Sequence, residues 1–145
     1  MQPSQRRLTV RTERWPIAGR FAISRGEKTE ASVVIAEIAD GGFLGRGECV
    51  PYQRYGETVE GVREAVLAMR GALSDRVALL RQMPTGAARN ALDCALWDYE
   101  AKCSGTSTRA LAGLAALRPL TTAYTISLDS PDAMAAKAAA AARTM

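Results

Sequence analysis

The sequence predicts an α+β fold, and three observations carry that reading. Period-two patterning is confined to the first third of the chain, helical patterning follows it, and the two do not alternate as a parallel βαβ protein requires. The third observation is Pro84 to Lys102, PTGAARNALDCALWDYEAK, where spacing, start signal and stop signal agree. Ala88, Leu92, Ala95, Leu96 and Tyr99 recur at helical spacing, with Ala87, Ala91 and Cys94 beside them, so the helix presents a broad face of small apolar side chains suited to close burial. Pro84 suits a first turn, and Gly105 suits a left-handed C-terminal cap.

Taken in order, Arg7 to Ile17 carries Leu8, Val10 and Thr12 at period two and reads as a strand ending near Pro16. Gly19 to Ala31 is polar and reads as a mobile loop with Arg25-Gly26 near its middle. Ser32 to Ala39 is rich in β-branched residues, Asp40-Gly41-Gly42 is a turn, and Phe43 to Glu48 returns, so an antiparallel three-stranded meander opens the chain. Cys49 to Glu57 is a loop holding Tyr52 and Tyr55. Thr58 caps a helix whose stripe is Val62, Ala65, Val66 and Met69, and Ser74-Asp75 starts a shorter helix through about Gln82. The Pro84 helix follows, then a brief helix over Thr108 to Leu114. Leu120 to Leu128 reads as a strand, and Ser130-Pro131-Asp132 starts a last, alanine-rich helix. One strand and one helix cannot make a sheet, so the chain reads as cut off after a first βα unit.

Composition narrows the function. The 145 residues suit one ordinary core, 48% of them are apolar and 23% charged, and no run approaches the roughly 18 apolar residues of a membrane span. With no apolar leader behind MQPSQRR, a cytoplasmic protein is expected. The +4 net charge is scattered, with only Arg6 and Arg7 adjacent, which argues against a nucleic-acid surface. The absence of histidine excludes a Ser-His-Asp or Cys-His site within the chain. Cys49, Cys94 and Cys103 are odd in number, lack metal-ligand spacing and read as free thiols. Asp93 and Asp98 lie five apart on one helix, a poor spacing for converging on one ion. Asp93 pairs more naturally with Arg89 and Asp98 with Lys102, so both are read as structural, as is Glu48; Trp97 is read as core.

Three stretches together carry a family resemblance: Gly45-x-Gly47-Glu48 closing the third strand, Gly86 to Asp98 as the central helix, and Tyr124-Thr125-x-Ser127 before Ser130-Pro131. They resemble the enolase superfamily in its muconate-lactonizing branch, most closely the L-Ala-D/L-Glu dipeptide epimerases. Arg25 and the loop Pro51-Tyr52-Gln53-Arg54-Tyr55-Gly56-Glu57 favour those epimerases over their relatives. The resemblance implies an enolase-like N-terminal capping domain over residues 1–118, followed at 119–145 by the first strand and helix of an incomplete barrel of the TIM type, which normally needs about 250 residues. It implies a Mg²⁺-dependent epimerase of Ala-Glu dipeptides. A lysine removes the proton α to a carboxylate or amide, the metal stabilises the enolate, and a second lysine returns a proton.

In the family those lysines and the three metal-binding carboxylates lie on later barrel strands, so this chain alone is expected to be inactive, with no catalytic or metal residue of its own. What it retains is a set of substrate-facing positions. Arg25 matches the residue whose guanidinium reaches the glutamyl carboxylate, a role suited to a bidentate fork; a solvated loop arginine is the plain alternative. Phe21 and Tyr55 match residues of two loops that close over the barrel mouth, against ordinary loop packing. Thr125 matches a residue lining the base of the site, against a merely β-forming threonine. Muconate cycloisomerase or o-succinylbenzoate synthase fragments are alternatives within the branch. A non-catalytic binding module or a truncated remnant is the alternative outside it. The implied partner is a small dipeptide, and a homo-oligomer stays open.

Overall fold

The computed structural model describes residues 6–24 and 26–144. Its sheet has three antiparallel strands in the order β1-β2-β3: β1 (Arg7–Ile23), β2 (Gly26–Asp40) and β3 (Phe43–Cys49). Helices follow at α1 (Val59–Leu67), α2 (Arg76–Gln82), α3 (Ala87–Ser104), α4 (Thr108–Leu111) and α5 (Pro131–Thr144), with a single 3-10 turn at Gln53–Tyr55. Strands first and helices after is the α+β order that the patterning predicts. Among the described residues no helix is long and apolar enough to cross a membrane.

Packing divides the chain into two units. One holds the residues up to Arg14 with Ser32–Leu117; the other holds Trp15–Ala31 and the chain from Arg118 onward. In the first, β2 and β3 pair antiparallel with Val34 opposite Cys49, Ala36 opposite Gly47 and Ile38 opposite Gly45. The connecting Gly41 and Gly42 have φ of 57° and 86°, the two positive values that a tight two-residue hairpin turn demands. Because a strand alternates faces, that paired row lies on one side of the sheet, and α3 packs there through Ala88, Ala91, Leu92, Ala95, Leu96 and Tyr99. Val62 and Val66 of α1, Met69, and Leu79 of α2 complete the core.

The outer edge of β3 is covered by α3 as well. Asp98 Oδ2 accepts from the Arg46 N–H at 2.8 Å, Lys102 Nζ donates to Leu44 O at 2.7 Å, and Asn90 Nδ2 donates to Glu48 O at 3.4 Å. An exposed edge offers unpaired backbone groups to other strands, and these contacts occupy them. Capping is equally legible in the structure: Thr58 Oγ1 accepts from Gly61 N–H at 3.0 Å, and Asp75 Oδ1 accepts from Ala78 N–H at 2.7 Å. Gly105 closes α3 in the left-handed region with φ of 62°.

Five expectations are corrected. β1 does not end near Pro16 but runs to Ile23, and β2 begins at Gly26, so Gly19 to Ala31 is mostly the far end of a long hairpin and not a loop. β1 lies at a sheet edge, where a missing proline N–H is tolerated, and a polar ribbon needs only its ladder and cross-strand pairs such as Arg20–Glu27 at 2.8 Å. Helix α3 starts at Ala87, leaving Pro84 outside it. Helix α4 stops at Leu111, before Gly113 turns the backbone to φ 72°. Leu120 to Leu128 forms no strand: extended backbone needs a neighbour to ladder with, and here Leu128 N–H donates to Ala22 O at 2.8 Å while Leu120 is 88% exposed. Trp97 is half-buried and not core; the Arg76 guanidinium stacks 3.4 Å from its ring centroid and pairs with Glu100 at 2.8 Å.

Candidate functional site

In the first unit the chain leaves β3 at Cys49 and makes a compact loop before α1. Tyr55 N–H donates to Tyr52 O at 2.9 Å and Gly56 N–H to Gln53 O at 3.0 Å, closing the 3-10 turn, and Gly56 exits at φ 74°. The Tyr52 and Tyr55 rings meet with centroids 5.6 Å apart, and Tyr55 is 76% exposed. Glu57 ties the loop down. Its Oε2 accepts from Tyr52 N–H at 2.9 Å and its Oε1 from Ala87 N–H, the first residue of α3, at 2.7 Å. The Ala87 bond first, and the Tyr52 bond second, hold its carboxyl below the ordinary glutamate range.

Cys49, at the head of this loop, is buried, and its thiol is pushed up to about 11, first by burial and then by the negative charge of Glu57. Relative to its ordinary value of 9.0, that leaves about 100-fold less thiolate near neutral pH. Iodoacetamide at pH 8 is therefore expected to alkylate the exposed Cys94 and Cys103 while Cys49 stays unmodified until the chain unfolds; peptide mass mapping reads the order.

In the second unit Phe21 is half-buried on β1, inside the strand and not on a loop. Ser127, read from the sequence as part of the family motif and not as a site residue, accepts from Ala22 N–H at 2.9 Å and donates to Arg20 O at 3.2 Å, fastening the extended segment to the hairpin. Thr125 stands exposed two positions earlier. An open cleft of about 380 Å³ lies here, lined in part by Arg20, Glu27, Asp129 and Ser130. Asp129 pairs with Lys137 of α5 at 2.9 Å; that bond first, then Ser130 N–H, holds its carboxyl below the usual range.

Of the predicted site residues, Phe21 and Thr125 thus fall in the second unit and Tyr55 in the first, while Arg25 lies outside the described residues. Asp98 pairs with Lys102 at 2.7 Å as expected. Arg89 does not pair with Asp93 but donates to Met83 O at 3.3 Å. Among the described residues no three His, Cys, Asp or Glu side chains gather as a metal ion would require.

An antiparallel meander closed by a helical layer, with one helix laid on a glycine-bearing strand, defines the class: an enolase-type capping fold. Residues 5–113 match the mandelate racemase / muconate lactonizing enzyme N-terminal domain, and the chain belongs to that family, within the enolase superfamily. It is 41% identical over 133 residues to the L-Ala-D/L-Glu epimerase of Escherichia coli (strain K12), covering 90% of this chain and 41% of that protein. It is 38% identical over 112 residues to an N-acetyl-D-glutamate racemase of Pseudoalteromonas sp, covering 70% of this chain and 34% of that one. Among solved structures it superposes with a TM-score of 0.86, at 54% identity, on an enolase family member from Agrobacterium tumefaciens with homology to dipeptide epimerases, which holds sodium and L-Ala-L-Glu. That match covers 93% of this chain and 42% of the other. A dipeptide epimerase from Methylococcus capsulatus complexed with Mg and L-Arg-D-Lys matches at 0.82 and 30%, over 97% of this chain and 43% of its own. The chain therefore spans about two fifths of the length of these relatives.

Proposed function

We propose that this chain is the capping part, residues 1–118, and the first strand-helix segment of the barrel, 119–145, of a Mg²⁺-dependent epimerase of Ala-Glu dipeptides. The observation that carries the reading is the 54% identity to a relative that holds L-Ala-L-Glu. The reaction class is removal of the proton α to a carboxyl group and its return on the opposite face. In this reading the acid, the base and the metal ligands belong to the part of the relatives that this chain does not match, and the chain alone does not turn over. Its own contribution is to substrate recognition. Arg25 takes the glutamyl carboxylate in a bidentate pair, Phe21 and Tyr55 keep water from the reacting carbon, and Thr125 lines the floor of the site.

A hybrid tests this. The chain replaces the corresponding part of the Agrobacterium tumefaciens relative, and loss of the α-proton signal of L-Ala-L-Glu in D₂O is followed by NMR with Mg²⁺. Turnover is expected from the hybrid and none from the 145-residue chain. In the hybrid, Arg25→Ala should raise KM for L-Ala-L-Glu far more than for an Ala-Ala dipeptide. Turnover by the 145-residue chain, or equal losses on both dipeptides, would overturn the corresponding part of the proposal. The racemase relative supports a second reading, an N-acylated glutamate substrate, which a hybrid active on N-acetyl-D-glutamate and silent on L-Ala-L-Glu would establish.

A further inference from the structure

Helix α3 takes no side-chain cap from the residue before it. Thr58 caps α1, Asp75 caps α2 and Ser107 caps α4, each from the residue directly before its helix. The residue at that place before α3 is Gly86, which has no side chain to accept a bond, and the first N–H of the helix is taken instead by Glu57, thirty positions earlier in the chain. The approach is close: a Cβ at Gly86 would lie 3.0 Å from Glu57 Oε1. Both carboxylate oxygens are committed, one to α3 and the other back to Tyr52 N–H at the start of the 3-10 turn. A carboxylate bonded to backbone N–H groups on two elements fixes their separation more strictly than an apolar contact, because both bonds are directional and charge-assisted.

We propose that Glu57 is a positioning residue, clamping the Tyr52–Tyr55 loop to the N-terminus of α3 and so holding Tyr55 in one orientation for contact with substrate. The last step rests on the epimerase reading; the clamp itself does not. Helix α3 is in turn seated on β3 where Gly45 and Gly47 admit its backbone, so the carboxylate ties the far end of the loop to a helix that is itself fixed on the sheet. Ionisation of that carboxyl, held below its ordinary range by the same two N–H donors, keeps the clamp formed at neutral pH.

Two measurements test it. In the 145-residue chain, amide hydrogen exchange of Tyr52 to Gly56 should quicken by about tenfold or more in Glu57→Gln, the loss expected when charge-assisted bonds to backbone are weakened, while amides in the middle of α3 keep their protection. Unchanged exchange in the loop would overturn the clamp. In the hybrid enzyme, Glu57→Gln should raise KM for L-Ala-L-Glu by a similar factor at nearly constant kcat, whereas a helix cap and nothing more would lower thermal stability and leave KM alone. A hybrid with Glu57 intact that folds but has no activity would sink the epimerase reading and leave the exchange result to decide the clamp.

Discussion

Gly47→Ala is expected to unfold most of the chain or drive it into the insoluble fraction. A Cβ at this position would lie 2.0 Å from Ala91 O, 2.6 Å from Ala95 N and 2.9 Å from Cys94 Cβ. Two of those atoms belong to the backbone of α3, so no rotamer change relieves the overlap, and trimming Ala91 or Cys94 does not rescue it. The helix has to lift off β3 and pull Ala91, Leu92, Ala95 and Leu96 out of the buried layer they fill. Overpacking usually costs about 1–3 kcal/mol, and more where backbone must move, against a total stability of roughly 5–15 kcal/mol. Gly45→Ala should behave alike, since its added Cβ would lie 2.2 Å from Ala95 O. Thermal unfolding followed by circular dichroism measures the loss. A Gly47→Ala protein whose Tm falls by less than about 4 °C would show that α3 can shift freely.

This pair of glycines marks how far the sequence could be read. Their place at the end of the third strand was legible, and so was the small-residue face of α3; that the two are halves of one contact was not, because the meeting of a helix and a strand depends on which face each buries. Local rules served where the physics is local. The Thr58 and Asp75 caps, the Gly41-Gly42 turn and the Gly105 stop each follow from the chemistry of a few adjacent residues. They failed where a distant partner decides the outcome. Residues 26–30, GEKTE, are polar and read as loop, yet they belong to β2. Leu120 to Leu128 has every strand preference and forms no strand, because preference does not supply a neighbour. Glu57 is legible as the last residue of the loop that favours the epimerases, but its bond depends on Ala87, which sequence distance conceals. Of the candidate site, Tyr55 was legible as an exposed aromatic on a loop. The bonds of Ser127 to Arg20 and Ala22 carried no sequence signal.

The second large effect is expected at Leu96→Ala, and it should be judged against Leu120→Ser. Both positions hold a leucine that pattern reading would bury, in a helix stripe and in a strand respectively. Leu96 is 0% exposed and sits in the layer shared by α3, α1 and the sheet; Leu120 is 88% exposed. Truncating a fully buried leucine removes its transfer free energy and leaves a cavity whose walls are tied to backbone, so a loss of about 2–5 kcal/mol is expected. Replacing an exposed leucine changes stability by about 0.5 kcal/mol at most. The two tryptophans allow each unit to be read by itself. Trp97 lies on α3 in the first unit and Trp15 on β1 in the second, so fluorescence of Trp15→Phe follows the first unit alone and that of Trp97→Phe the second. Leu96→Ala should lower the urea midpoint seen by Trp97, because the core of the first unit is the layer it weakens. A comparable fall in that midpoint from Leu120→Ser would show the extended segment contributing to the core, and would contradict the burial on which the assignment of the stabilising layer to α3 depends.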